Sequence, residues 1–249
     1  KGPVLLPGTF NKDAIVFIDA EVSPETGQIV DLGACRADGR FFHSSNVAAF
    51  KEFCKGADFV CGHNIVAFDM QYLRPVLGDG PQAVDTLPLS ALLFPRKRFH
   101  NLLKDEKLLT DELNNPLSDA RKAMALFEEE VAAFNELPGV LQRLFCAMLK
   151  NRPEFAGFFR CLNVQTPTFA DPAGVIKRLM ADRLCIHADL DGLAKRQPAD
   201  LAYALAFIRA AEPADVIPPW VNTNYPATQS VLNALRYTPC KKGCPYCKE

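Results

Sequence analysis

Apolar and polar positions alternate in two distinct ways along this chain. Residues 14–18 (Ala-Ile-Val-Phe-Ile) form a short continuous apolar run rich in β-formers, the pattern of a strand buried on both faces. The stretch 23–27 (Ser-Pro-Glu-Thr-Gly) predicts a turn, and 28–37 a second strand. Asp38-Gly39 is a hairpin signal that leads into a third strand over 40–43. A helix is expected over 47–54, a short strand over 58–61 and a helix over 68–77. The stretch 83–107 mixes short helices with the basic cluster Arg96-Lys97-Arg98. Ala120, Ala123, Met124, Phe127, Val131 and Phe134 then recur at offsets of three and four, the stripe of a long amphipathic helix. Pro116 stands near its start, where proline is tolerated.

The texture changes at Leu137-Pro138-Gly139. Helical runs dominate beyond it, punctuated by Pro153, Pro167, Pro172 and Pro198. Pro218-Pro219-Trp220 reads as the start of a non-helical connector, and Asn224-Tyr225-Pro226 as the lead into a last helix ending at Arg236. The expected division is therefore an α/β domain over 10–136, a helical region over 137–217, and a linker with a cysteine-rich tail over 218–249. An α/β mixed sheet flanked by helices, of ribonuclease-H-like layout, fits the first part. No internal repeat or low-complexity segment is present in the sequence.

Composition narrows the partners. The 249 residues carry a formal net charge of -1, unlike a dedicated duplex binder that works by neutralising phosphates. A nucleic-acid site would have to be a local patch or depend on bound metal. No apolar run reaches the roughly 18 residues a membrane span needs. Of the nine cysteines, Cys35, Cys54, Cys61, Cys146, Cys161 and Cys185 lie in apolar contexts and read as small buried hydrophobes. That usage predicts a reducing compartment and a cytoplasmic location, with no membrane partner.

Three acidic features carry the chemistry. Asp19 and Glu21 end the first strand two positions apart, so their side chains share a face. Two carboxylates aimed together repel unless a hard divalent cation joins them. The bland alternative is a strand that has simply left the core. Asp69 lies at the start of the helix that follows Gly62-His63-Asn64, and Asp119 opens the long helix. Each alone reads better as a first-turn acid or cap than as a ligand.

Taken together, these segments resemble the exonuclease motifs of DnaQ-like, DEDD-type 3′–5′ exonucleases. Phe17-Ile18-Asp19-Ala20-Glu21, with Ile29-Val30-Asp31-Leu32-Gly33-Ala34, is similar to the first motif and its next strand. Gly62-His63-Asn64 with Phe68-Asp69 is similar to the second, and Asp119-Ala120 to the third. The resemblance covers roughly 12–136. It implies that Asp19, Glu21, Asp69 and Asp119 hold two Mg²⁺ or Mn²⁺ ions, which activate a water and stabilise the leaving 3′-oxygen. The implied substrate is a single-stranded or frayed 3′ end of DNA, with RNA the alternative. His63, Asn64, Phe68, Arg96 and Lys97 would bind the nucleic acid by stacking and phosphate contact.

The pattern departs from the family at one place. In the histidine subclass a histidine five residues before the last aspartate is the general base, and here that position is Asn114. An amide takes no proton at neutral pH, and a positioned base is worth about 10²–10⁴ in rate. The tyrosine subclass is not matched either, since Asn115 stands four before Asp119. His100 is the nearest substitute in sequence, and reads otherwise as a loop or nucleic-acid-contacting residue. A catalytically silent fold that serves as a binding or docking module is thus the competing expectation.

The chain also contains Cys240-Lys241-Lys242-Gly243-Cys244-Pro245-Tyr246-Cys247. Three cysteines so spaced predict a metal site, Zn²⁺ first and an iron–sulfur centre second, with Cys185 or His187 available as a fourth ligand. An unliganded tail is the plain alternative. Segments 100–105, 114–116, 218–221 and 235–240 further resemble the N-terminal region of bacterial RecQ-like ATP-dependent DNA helicases. That resemblance implies a helicase domain following in the same polypeptide and a DNA-repair setting. No Gly-x4-Gly-Lys-Ser/Thr loop occurs in this sequence.

Overall fold

The computed structural model describes residues 9–102, 115–164, 171–238 and 240–247. They fall into two compact units between which the chain passes repeatedly. The first gathers Lys1–Leu89, Asn101–Glu136 and Asn151–Gln165; the second gathers Ser90–His100, Leu137–Lys150 and Thr166–Glu249.

The first unit is built on five strands: β1 (Ile15–Val22), β2 (Ile29–Cys35), β3 (Phe41–His43), β4 (Phe59–Gly62) and β5 (Gln82–Asp85). Their order is β3-β2-β1-β4-β5. The β1–β2 and β2–β3 pairs are antiparallel, as two successive hairpins require, while β4 and β5 join in parallel. Helices α1 (Val47–Cys54) and α2 (Met70–Leu77) supply the crossovers, and α3 (Thr86–Leu93) leaves β5. The long α4 (Pro116–Asn135) follows, and α6 (Pro153–Cys161) returns to pack on β5. This is the expected α/β mixed sheet flanked by helices.

Alternation along β1 separates two environments. Val16, Ile18 and Ala20 join Leu32, Ala34, Phe50, Val60, Ile65 and Leu73 in one core with α1 and α2. Phe17 points the other way, its ring 5.7 Å from that of Phe127 in α4. By the same period, Asp19 and Glu21 face the α4 side. Asn115 caps α4, its side chain accepting the Ser118 N–H at 3.1 Å, with Pro116 in the first turn.

The second unit is helical: α5 (Gly139–Leu149), α7 (Pro172–Met180), α8 (Leu190–Arg196), α9 (Pro198–Ala210), α10 (Pro219–Asn224) and α11 (Thr228–Arg236). Residues 201–208 of α9 are all buried, which marks it as the unit's central helix. It packs against α5, α8 and α11. Among the described residues no helix is long and apolar enough to cross a membrane.

Three expectations are amended. The sequence left β5 within a mixed helical stretch; four residues carry too little periodicity, and only parallel pairing with β4 makes them a strand. The chain passes from the sheet unit to the helical unit at Glu136/Leu137, while 90–100 belongs with the helical unit and 151–165 with the sheet unit. The segment after Pro218 is no linker: Pro219 sits in the first turn of α10, where its missing N–H costs nothing, and α11 packs on α9.

Candidate functional site

Four acids are brought towards the C-terminal end of β1 by three separate devices. The first is the strand itself, which presents Asp19 and Glu21 on one face. The second is Asp69, at the start of α2, whose Oδ1 accepts the Ala20 N–H of β1 at 3.1 Å. This ties the second motif directly to the backbone of the first. The third is a close approach of α4 to β2. Gly33 pairs with Asp19 in register, and any Cβ on Gly33 would collide with the backbone of Pro116 and Leu117. Only glycine allows the first turn of α4, and with it Asp119, to settle against this part of the sheet. Gly62 plays a similar part at the end of β4, where a Cβ would stand 2.7 Å from the Ile18 carbonyl oxygen.

The electrostatics follow from this crowding. Burial, then the charges of Asp69, Asp119 and Glu21, push Asp19 up to about 8. Asp69 is raised to about 7, chiefly by burial, against the stabilising N–H of Ala20. Asp119 is also paired with Lys122 Nζ at 3.3 Å, one turn further along α4. The donor set is all carboxylate oxygen, which is what Mg²⁺ or Mn²⁺ takes, and a divalent charge would relieve the repulsion. The residues present therefore fit such ions. The acids do not crowd into a single-ion sphere, with donor atoms all within 4.8 Å of one another, as a cysteine group elsewhere in the chain does.

Asp85 is a participant that the sequence reading missed. It is buried at the end of β5. Its Oδ1 accepts the N–H groups of Asn64 (2.8 Å) and Leu87 (3.1 Å), and its Oδ2 that of Val66 (3.0 Å). Burial raises it to about 6 in spite of these three donors. The carboxylate thus clamps the turn that precedes Asp69, in which Asn64 takes the left-handed conformation (φ 62°). Only its position after a short strand could have signalled this.

The residues expected to touch nucleic acid divide between the units. In the sheet unit, His63 Nδ1 lies 2.8 Å from Thr86 Oγ1, so the ring is held beside the second motif. Phe68 is 44% exposed and meets Tyr72 edge-on at 5.7 Å, an aromatic surface adjoining Asp69. Arg96 and Lys97 belong to the helical unit. Arg96 is engaged by Glu212 and Asp215, each at 2.8 Å, and Lys97 Nζ lies 4.3 Å from the Phe94 ring centroid. His100 also belongs there, buried, its Nδ1 sharing a hydrogen bond with Ser90 Oγ at 2.8 Å. Burial, with Lys97 nearby, lowers it to about 4, so it is neutral at physiological pH. Asn114 lies outside the described residues.

A second constellation lies in the helical unit. Cys185, Cys240, Cys244 and Cys247 come together with their sulfur atoms all within 4.8 Å of one another, and they could hold a metal ion. Cys185 is buried between α7 and α8, while the other three are partly exposed beyond α11. The sequence reading first took Cys185 for a core residue. The sequence also offers it, with His187, as a fourth ligand, and the return of α11 to the α7–α8 turn brings it to the other three cysteines. His187, the other candidate, contacts the Gly243 carbonyl oxygen through Nε2 at 3.3 Å instead. Compared with known proteins, the chain matches no family model, no curated protein and no solved structure.

Proposed function

We propose that the sheet unit is a two-metal-ion 3′–5′ exonuclease acting on the 3′ end of DNA. The observation that carries this reading is the convergence of Asp19, Glu21, Asp69 and Asp119 from β1, α2 and α4, with Asp19 and Asp69 both raised. Mg²⁺ or Mn²⁺, when bound, supplies an activated water and charge stabilisation of the leaving 3′-oxygen. Asp19 and Glu21 hold the cations from the strand, Asp69 from the start of α2, and Asp119 from the first turn of α4. Phe68 offers a stacking surface for a terminal base beside Asp69, and His63 and Asn64 line the same turn. The separate resemblance of segments 100–105, 114–116, 218–221 and 235–240 to RecQ-like helicases supports reading the unit as part of a DNA helicase or repair protein.

The test is degradation of a 5′-labelled single-stranded DNA oligonucleotide with Mg²⁺ or Mn²⁺, against Asp19→Ala and against an RNA of the same sequence. A ladder shortening from the 3′ end, lost in the variant, is the expected result. A second reading is favoured by Asn114, which cannot serve as a base: an exonuclease fold that binds nucleic acid without cutting it. Binding of the oligonucleotide with no cleavage under either metal would select that reading.

For the helical unit, we propose Zn²⁺ at the four cysteines. At a Zn–S distance of about 2.3 Å the sulfurs of a tetrahedral site stand about 3.8 Å apart, which is compatible with the spread of this set. A multi-iron cluster distributes its thiolates over more than one iron and so spreads the four sulfurs more widely than a single ion does. Metal content of the purified chain tests this directly: one zinc per chain is expected, and several irons with sulfide would overturn it.

A further inference from the structure

The segment 240–247 contains no helix, no strand and no buried residue. Its backbone is nevertheless specific. Lys241 takes φ 53° and Gly243 φ 68°, and the Cys247 N–H donates to Cys244 Sγ at 3.2 Å. Besides the cysteines, Tyr246 and Gly243 tie it to the rest of the unit. Arg236 Nε donates to Tyr246 Oη at 3.2 Å, its guanidinium lies 5.5 Å from that ring's centroid, and His187 meets the Gly243 carbonyl. Contacts of this kind at a surface contribute little, and the segment lacks the apolar burial that orders a chain. At the other end, Cys185 is firmly placed: it is buried, and its N–H donates to the Leu235 carbonyl at 2.8 Å, beside the end of α11.

Resting on the zinc reading above, we infer that the ion is a structural clamp: it fastens the segment 240–247 to the α7–α8 turn and closes the chain around α8, α9, α10 and α11. Four protein sulfurs complete a tetrahedral shell, so no position is left open for a substrate or water, as a catalytic zinc requires. The cross-link joins residues roughly 55 apart in sequence. Closing a loop of that length restricts the unfolded chain in the way a disulfide does. Because the segment has no core of its own, binding of the ion and folding of the segment are one event. The clamp belongs to the helical unit alone, and the exonuclease reading of the sheet unit does not depend on it.

Lys241 and Lys242 sit inside the clamped segment and give a direct readout. Both are exposed, but trypsin needs several residues of extended chain, so cleavage there reports local unfolding. The experiment uses the full chain, with zinc counted by elemental analysis and tryptic cleavage after Lys241 and Lys242 followed by mass spectrometry. It is run before and after removal of zinc with a chelator, and on Cys247→Ser. With one zinc bound, cleavage should be slow. It should speed up at least tenfold in the stripped chain and in the variant, and the helical unit should melt at least about 5 °C lower. Cys247 is partly exposed, so its replacement leaves the buried core intact, whereas Cys185→Ser perturbs packing as well. One zinc per chain with unchanged cleavage after stripping would overturn the clamp and leave the zinc reading standing. Absence of zinc from the purified chain would overturn both.

Discussion

The two candidate metal sites of this molecule are built in opposite ways. The acidic site stands on a sheet whose strands and helices bury their own apolar core, from Val16 and Ile18 to Phe50 and Leu73. Its carboxylates are held by a strand, by the Asp69–Ala20 hydrogen bond and by the contact of α4 with Gly33, none of which needs an ion. The cysteine site stands on a segment without regular structure, where the ligands themselves are the main link to the rest of the unit. In the first the fold assembles the ligands and stores repulsion among them. In the second, under the clamp proposed above, a bound ion would supply cohesion that the segment lacks.

The strongest way to break this comparison is Asp19→Ala. It should lower nuclease activity by about 10²–10³-fold or more, as expected for removing a principal electrostatic element, while zinc content stays at one per chain. A variant that kept its activity would remove the acidic site from consideration.

The pH dependence of stability sharpens it next. Asp19 keeps its proton to about pH 8 in the folded chain and releases it near 3.8 when unfolded, so between those values the folded state binds more protons. Without added divalent cation, stability from this group is therefore fully present below about pH 4 and declines as pH rises towards 8, by up to a few kcal/mol. Asp69, raised to about 7, acts in the same direction. Thermal melts at pH 5 and pH 8 should show the decline, and Asp19→Asn should flatten it. Saturating Mg²⁺ should restore stability most at the higher pH.

Gly33→Val drives a side chain into the backbone of Pro116 and Leu117. A cost of about 1–3 kcal/mol or more is expected in urea unfolding, with a loss of activity as Asp119 is displaced. Asp85→Ala leaves three backbone N–H groups without their acceptor. A cost of about 1–3 kcal/mol is expected, with a fall in kcat because the turn leading to Asp69 loosens. The smallest effect belongs to Phe68→Ala, which should raise KM for single-stranded DNA by about tenfold through lost stacking and leave kcat nearly unchanged.

Much of the sheet unit was legible because its signals are local. The apolar run of β1, the Asp38-Gly39 hairpin and the stripe on α4 each specify an element within a few residues, and Val47–Cys54 was bounded as observed. Asp19 and Glu21 share a face by strand geometry alone. The Asp85 clamp was hidden, because a carboxylate after four strand residues looks like any polar exit from a strand. Arg96 read as a free cation for phosphate, but its partners Glu212 and Asp215 lie far along the chain.

By itself, then, the sequence determined the α/β character of the first part, the helical character of the second and the residue types of both candidate sites. These follow from period, turn chemistry and spacing, which act over one element at a time. Tertiary structure alone decided that Asp69 bonds the backbone of β1, that α4 lies against Gly33, and that Cys185 meets the cysteines beyond α11. Those contacts join residues roughly fifty to eighty-four positions apart. They depend on how whole elements pack, and no local pattern of hydrophobic and polar residues records that.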